Sequence, residues 1–417
     1  MALLFLCLIF GTGRTQKIEA AVQNVPESLE EESRLDTVGT DQETERAAVR
    51  EKKGQQEKEA GDTETDQAAA AQDELLAELD FDAIQQEVDS LLSSQQFSFA
   101  GTVRSLLQDG DPFRTFRAGN AVLSCAKTAF LAQKGLMKEL FLLVLAGAVL
   151  GSFSSLFEGK QVRDASFYMV YLLALALILK NFQSSGENLK AVITSLVAFM
   201  RILTPSYYLA AAAAGGASSA VMFYQMLLLV ILAVEKLLLA LVLPMIHIYL
   251  LIALVNDLSG EEILSHMTEL LETCVNGLLK SSLGVLVGMQ MIRNLIAPAL
   301  DSLRQMALWR TAGMIPGIGN AVNAVTELVA GSAVLIRNCF GVTAMLVLLA
   351  AGMVPAVQLL VSGLSFRLLA AAAQPVSDKR IAGCLAAAGK GYAMLLRLLL
   401  TVEVLFLLTI AILAGTF

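Results

Sequence analysis

Long apolar runs occupy the chain from about residue 140 to its end. A membrane-crossing helix needs about 20 largely apolar residues. Runs of suitable or nearly suitable length lie at 140–157, 167–183, 189–214 (broken at Pro205), 217–256, 281–299, 340–364 and 392–415. Forty helical residues would reach about 60 Å, roughly two bilayer cores, so 217–256 predicts a hairpin that turns at Glu235-Lys236. Residues 258–280 are amphipathic and predict a connector outside the core.

This pattern predicts an all-α polytopic membrane protein with about eight transmembrane helices, formed by residues 139–417. Three other segments precede it. Residues 1–22 contain the short apolar run ALLFLCLIF, which predicts a signal peptide, with an uncleaved anchor or a misassigned start as alternatives. Residues 23–72 are polar and predict a disordered leader. Residues 73–138 show helical spacing of apolar positions and predict amphipathic helices.

Composition supports the membrane class and removes several others. Apolar residues make up 56% of the chain, charged residues only 16%, and the mean hydropathy is +0.64. Residues 27–78 carry a net charge of −11 against −8 for the whole chain, so the remainder carries +3 and offers no nucleic-acid-binding face. The five cysteines are scattered and only two histidines exist, which predicts no metal site and no cofactor.

Between Gly313 and Asp378, glycine, proline and asparagine interrupt residues that otherwise read as membrane helix. In hydrocarbon, irregular backbone needs surrounding protein or a water-filled cavity to satisfy its polar groups. The segment therefore predicts a broken or re-entrant helix that forms a gate or a tight helix crossing. The candidate residues are Pro316, Gly317, Gly319, Asn320, Glu327, Arg337, Asn338, Gly341, Pro355, Pro375 and Asp378. For Arg337, a role in holding this segment stands beside interfacial anchoring, and Ser377 or Asp378 is expected to cap the next helix.

The proline pattern indicates an internal duplication. Pro205 and Pro244 are 39 residues apart, as are Pro316 and Pro355, and the two pairs are offset by 111. SSAV at 218–221 also resembles GSAV at 331–334. We expect repeats over about 187–299 and 300–417, with inverted and parallel arrangements both open.

Ionisable residues inside spans are costly and often functional, and two of those in the predicted spans, Glu403 and His247, are candidates. Glu403 is near the middle of the last span, and Arg397, six residues earlier, points about 120° away and cannot pair with it along one face. Glu403 is a candidate proton or ion site, or a polar packing contact. His247 is predicted to be a hydrogen-bonded packing residue rather than a ligand. No arrangement of nucleophile, base and acid occurs in the sequence, which argues against an enzyme.

Two motifs, IPGIGNAVNAVTELVAGSAVLIRNCFGV and QPVSDKRIAGCLAAAGKG, resemble the stage III sporulation protein AE family of endospore-forming bacteria. The Pro355 span and the C-terminal apolar span agree with that resemblance, which covers roughly 75–417 and is most specific over 311–392. The acidic leader is longer than the family pattern suggests. The family defines no catalytic residues that could be carried over.

The resemblance implies a multi-pass subunit in the mother-cell membrane around the forespore. It would serve as a permease-like or export-gate subunit of a transport complex that links mother cell and forespore. Its partners would be a secretion-type ATPase, ring-forming proteins and small membrane proteins, with the forespore-side partner beyond them. The complex would support forespore maintenance and late forespore gene expression. An independent secondary transporter of a small solute and a structural membrane scaffold are the alternatives.

Overall fold

The described elements are all helices, as apolar segments with internally satisfied backbones require. The computed structural model describes residues 80–92, 97–109, 118–154, 160–213, 218–259, 264–312, 319–375 and 377–414. The chain divides into two units, 1–65 and 66–417, and every described residue belongs to the second. The predicted signal peptide and acidic leader lie outside the described residues. The helices are α1 Phe81–Leu91, α2 Phe99–Asp109, α3 Ala118–Ser154, α4 Lys160–Ala213, α5 Ser218–Leu237, α6 Leu243–Ser259, α7 Ser265–Ala312, α8 Gly319–Ala373 and α9 Lys379–Ala414.

Several helices are longer than the apolar runs that predict them. α4 has 54 residues and joins the predicted spans 167–183 and 189–214 in one helix, with Pro205 inside it. α7 joins the amphipathic stretch 258–280, from Ser265 onward, to the span 281–299, so the expectation of a separate connector is wrong. Polar residues and Pro205 interrupt the apolar runs but do not end these helices. Polar side chains leave the backbone hydrogen bonds of a helix intact, and a proline removes only one of them.

The predicted hairpin at Glu235-Lys236 is also wrong. α5 continues into a π-helical turn, Leu238–Val242, and then directly into α6. Pro244 lies just beyond this turn and cannot donate a backbone hydrogen bond, and the wider π-helical turn accommodates the disturbed register. Both residues are helical: the Glu235 side chain is buried at 9% exposure, and the Lys236 side chain is exposed. The charged pair therefore does not form a turn.

Within the described residues, five helices are long and apolar enough to cross a membrane. They cover Tyr168–Tyr207, Leu228–Ser259, Ser265–Ile292, Gly331–Ala373 and Lys379–Ile412. The protein is therefore an all-α membrane protein, and the structure does not establish the expected count of about eight crossings. α8 is continuous from Gly319 to Ala373 with Pro355 inside it, so the helix break predicted for this segment does not occur in its described part. Residues 313–318 lie outside the described residues.

The last helix is the centre of the helical bundle. α9 packs most extensively on α8 and also contacts α4, α5, α6 and α7. It is the most buried of the five candidate spans, whereas α7 is the least buried. The side chains of α9 therefore meet most of the other membrane helices, and its polar residues are the first place to look for function.

The two short N-terminal helices pack against α4 and α8. Asp80 caps α1 by accepting from the Ala83 amide at 3.1 Å. The Gln85 side chain accepts from the Phe99 amide at 2.8 Å and donates to the Phe97 carbonyl at 2.7 Å, which ties α1 to the start of α2. An aromatic cluster then joins these helices to α4 and α8, and its members are Phe81, Phe99, Tyr207 and Phe340.

Candidate functional site

Glycines allow α8 and α9 to approach closely. A Cβ atom on Gly389 would lie 3.3 Å from the Gly363 carbonyl oxygen, and one on Gly363 would lie 3.2 Å from the Tyr392 Cβ. Small residues at helix crossings in membranes let two backbones approach in this way. In lipid the hydrophobic effect does not hold helices together, so close van der Waals packing supplies the attraction between them. Gly363 and Gly389 therefore fix the crossing of the two most extensively packed helices.

The same pair of helices also holds the buried carboxyl group of Glu403. Its side chain lies against Gly352 of α8, so that any side chain at position 352 would overlap the Glu403 carboxyl group. We call this space beside Gly352 the Gly352 notch. Glu403 is 8% exposed, and its Oε1 is buried with no hydrogen-bond partner among the described residues. Pro355 follows one turn later in α8.

Arg397 does not pair with Glu403. Its Nη1 donates to Asn276 Oδ1 of α7 at 3.0 Å. Thr401 and Thr409 flank Glu403 in sequence, but their hydroxyls donate to the carbonyls of Arg397 and Leu405 in α9 itself. In the part of the chain that the structure describes, no ion pair reaches Glu403.

A second polar cluster lies about 16 Å further towards the start of α9, eleven helical residues from Glu403. Tyr392 is fully buried, and its hydroxyl accepts from Asn181 Nδ2 at 2.6 Å and lies 3.3 Å from the Ser185 hydroxyl. The ring of Phe366 stacks on Tyr392 with centroids 5.2 Å apart. We call Tyr392, Asn181 and Ser185 the Tyr392 cluster. Sequence reasoning missed it, because Asn181 lies at the end of the predicted span 167–183 and Ser185 lies in the polar stretch that follows, where their spacing of one helical turn does not stand out.

His247 lies close to this cluster as a packing residue. Its Nδ1 lies 2.9 Å from the Leu243 carbonyl oxygen, and its ring meets the Phe182 ring edge-on at 5.3 Å. The ring rests on Gly186, where a Cβ atom would come within 2.6 Å of the imidazole. Within the described residues, His247 thus contacts an aromatic ring, a glycine and a carbonyl oxygen of its own helix.

The remaining candidates do not gather at one site. Arg337 is completely buried, Asn338 beside it is exposed, and Gly341 is buried next to the aromatic cluster residue Phe340. Pro375 is exposed in the turn after α8. Asp378 caps α9, since its Oδ1 accepts from the Arg380 amide at 3.1 Å.

Five further candidates are covered only in part or not at all by the described residues. Pro316 and Gly317 lie outside the described residues, and Gly319 is the first residue of α8. Asn320 and Glu327 belong to the first turns of α8, but their side chains are not among those described. Within the described ranges, no group of three His, Cys, Asp or Glu residues could hold a metal ion.

The fold and the site define a polytopic helical membrane protein whose central helices cross at glycines around a buried carboxyl group. A family model described as "Stage III sporulation protein AE" matches residues 97–416, so the chain belongs to the stage III sporulation protein AE family. A relative named "Stage III sporulation protein AE", from Bacillus subtilis (strain 168), is 22% identical over 283 residues, which cover 68% of this chain and 71% of the relative. No solved structure matches the chain. The family name implies membership of a stage III sporulation complex.

Proposed function

We propose that this protein is a permease-like or export-gate subunit, without enzymatic activity, of a transport complex that links mother cell and forespore. It would lie in the mother-cell membrane and assemble with a secretion-type ATPase, ring-forming proteins and small membrane proteins. In this role it would serve forespore maintenance and late forespore gene expression. Family membership and the apolar helices support the proposal at its coarser level, that of a membrane protein of a sporulation complex.

The observation that carries the gate role is the Glu403 carboxyl group in the Gly352 notch. Ionisable groups inside a membrane bundle are usually paired or mark a pathway for ions or substrate. Here the bundle supplies no partner for Oε1 within the described residues. A proton or a cation could bind the Glu403 carboxylate in place of a protein partner and could later dissociate. Binding and release would then alter the contact between α8 and α9. The contact between α8 and α9 would then differ between an occupied and an empty Glu403, which is what a gate requires.

The helix order supports a parallel duplication rather than an inverted one. Shifting α5 and α6 by the 111-residue offset of the proline pairs places residues 218–259 on 329–370, inside α8. The same shift places the start of α7 within three residues of the start of α9. Equivalent helices are then two apart in the chain and run in the same direction. The expected repeats, about 187–299 and 300–417, belong to this proposal.

Replacing Glu403 with Gln tests the gate role because glutamine keeps the size of the side chain and removes its ability to exchange a proton. The variant would replace the family member of an endospore-forming host. Two readouts are needed: heat-resistant spore counts, and mild-detergent affinity purification with mass spectrometry of the co-purified proteins. Glu139→Gln is the matched control, since it makes the same substitution at an exposed position of α3.

We expect Glu403→Gln to keep the partner proteins and to lose heat-resistant spores, while Glu139→Gln retains both. Normal spore counts for Glu403→Gln with partners retained would refute the gate role of Glu403 and favour a structural scaffold. Purification of the unmodified chain without partners from an intact preparation would instead favour an independent secondary transporter.

A further inference from the structure

A groove of about 500 Å³ lies between α7 and α9, away from the Gly352 notch. Four apolar side chains, Leu279, Leu283, Leu400 and Val404, form most of its wall. Lys280 and Arg397 are both exposed and lie on its rim. Among the described residues neither of them forms an ion pair. The salt bridge between these two helices joins two other residues, Lys390 and Glu272, at 3.2 Å.

The basic residues lie towards one end of the groove, and Leu283 and Val404 lie at the other. α7 and α9 run in the same direction, since Glu272 contacts Lys390 and Asn276 contacts Arg397 four and seven residues further on. The Glu272–Lys390 salt bridge therefore lies at one end, and Arg397 follows beside Asn276. Lys280 lies about one helical turn further on, and Leu283 and Val404 lie beyond it. A basic end followed by an apolar end is the arrangement of a phospholipid, with its headgroup at the interface and its acyl chain in the core.

We propose that this groove binds an anionic phospholipid of the surrounding bilayer. The phosphate would accept hydrogen bonds from Lys280 and Arg397, and an acyl chain would lie along Leu283, Leu400 and Val404. Charge complementarity selects an anionic headgroup, because two uncompensated cations attract a net negative lipid more than a zwitterionic one. The apolar wall selects a lipid over a free phosphate, since a free anion has no use for a channel of leucine and valine side chains.

This site is independent of the proposed gate role. It lies on the outer side of α9, because Arg397, Thr401 and Val404 form one face of that helix, and Glu403 points from another face into α8. α7 is the least buried of the five candidate spans, so the groove is open to lipid in this chain.

The test is native mass spectrometry of the full chain after exchange into detergent with equal amounts of phosphatidylglycerol and phosphatidylcholine. The wild-type protein is compared with Lys280→Gln, with the double variant K280Q/R397Q, and with Lys236→Gln as a control. Lys236 is an exposed lysine of α5 outside the groove, so its substitution removes one positive charge elsewhere. A fourth variant, Leu283→Trp, fills the apolar part and leaves both basic residues in place.

A basic residue near an anionic bilayer surface strengthens binding about fivefold, so we expect the double variant to lose phosphatidylglycerol affinity by about 30-fold. Lys280→Gln should lose about fivefold and Lys236→Gln should match the wild type. Leu283→Trp should also weaken the lipid, whereas glycerol phosphate without acyl chains should not compete. Because Lys280→Gln removes only an exposed side chain, its result stands even if the double variant does not fold.

Equal retention of the two lipids by the wild type would overturn the proposal. So would an equal loss in Lys280→Gln and Lys236→Gln, which would show attraction to net charge alone. Full competition by glycerol phosphate, with no effect of Leu283→Trp, would overturn the lipid assignment in favour of a free phosphate site.

Discussion

Gly352→Ala places a methyl group where the Glu403 carboxyl group lies. The carboxyl group is buried at a close helix crossing and has to move, which forces the side chain or the two helices away from their packed positions. Insertion of a methyl group into a well-packed interior typically costs about 1–3 kcal/mol. Alanine also favours a helix over glycine by up to about 1 kcal/mol, so a control for this gain is needed.

Gly284→Ala supplies that control, because no atom lies within 4 Å of a Cβ built on this glycine of α7. We expect Gly352→Ala to be less stable than Gly284→Ala by about 1–3 kcal/mol. The measurement is the free energy of unfolding in mixed micelles under increasing sodium dodecyl sulfate, followed by circular dichroism.

A double-mutant cycle assigns the cost to one contact. Glu403→Ala empties the Gly352 notch, so a methyl group at 352 finds room in that background. The two substitutions should therefore couple by about 1 kcal/mol or more, in the direction of mutual rescue. If Gly352→Ala behaves like Gly284→Ala, or if the cycle is additive within about 0.5 kcal/mol, then the carboxyl group does not occupy the notch.

Three other changes test the packing around the site. Tyr392→Phe removes the hydroxyl that accepts from Asn181 and leaves a half-buried amide without that acceptor, so the same unfolding assay should show a loss of about 0.5–1.5 kcal/mol. Phe99→Ala removes a fully buried ring of the aromatic cluster and should cost about 3–5 kcal/mol. Limited proteolysis should then cut near α1 and α2 faster, before the helices from α4 onward are attacked. Asp378→Ala removes the cap of α9 and should cost about 0.5–2 kcal/mol of unfolding free energy, whereas Asp378→Asn should be close to neutral.

Each of these has a contrary result. An unchanged stability of Tyr392→Phe would mean that the Asn181 hydrogen bond contributes nothing. A uniform increase in proteolysis across the chain of Phe99→Ala would mean that the aromatic cluster stabilises the whole bundle instead of docking α1 and α2. Equal losses for Asp378→Ala and Asp378→Asn would place the effect in the charge rather than in the capping hydrogen bond.

The fold class was predictable because apolar runs and helical periodicity depend on the residues themselves. The helix boundaries were not, since a helix ends only where its backbone hydrogen bonds end. Pro205 and Glu235-Lys236 look like breaks in the sequence, yet one lies inside α4 and the other runs into a π-helical turn. Packing against neighbouring helices compensates for a lost bond or a buried charge, and no local pattern contains that information.

The candidate site was predictable only in part, for a similar reason. Glu403 stands out because a carboxylate in an apolar run is rare, and the sequence identifies it without its neighbour. Gly352 is one of 30 glycines in the chain and acquires its importance from the helix that crosses it. The Tyr392 cluster joins α4 to α9 across 211 residues, and a contact of that separation needs the fold itself.

The long part of α8 that precedes Gly352 can act as a lever arm, with the contact at Gly352 as its pivot. Gly352 lies 33 residues from Gly319, the first residue of α8. At 1.5 Å per residue this arm is about 50 Å long, so a tilt of about 10° at the pivot moves its far end by about 9 Å. Phe340 lies on the same arm, about 18 Å from the pivot. Phe81 of α1 and Phe99 of α2 pack against Phe340, so these two helices would move with the arm. A small rearrangement at the buried carboxyl group would thereby be converted into a displacement of several ångströms at the start of α8.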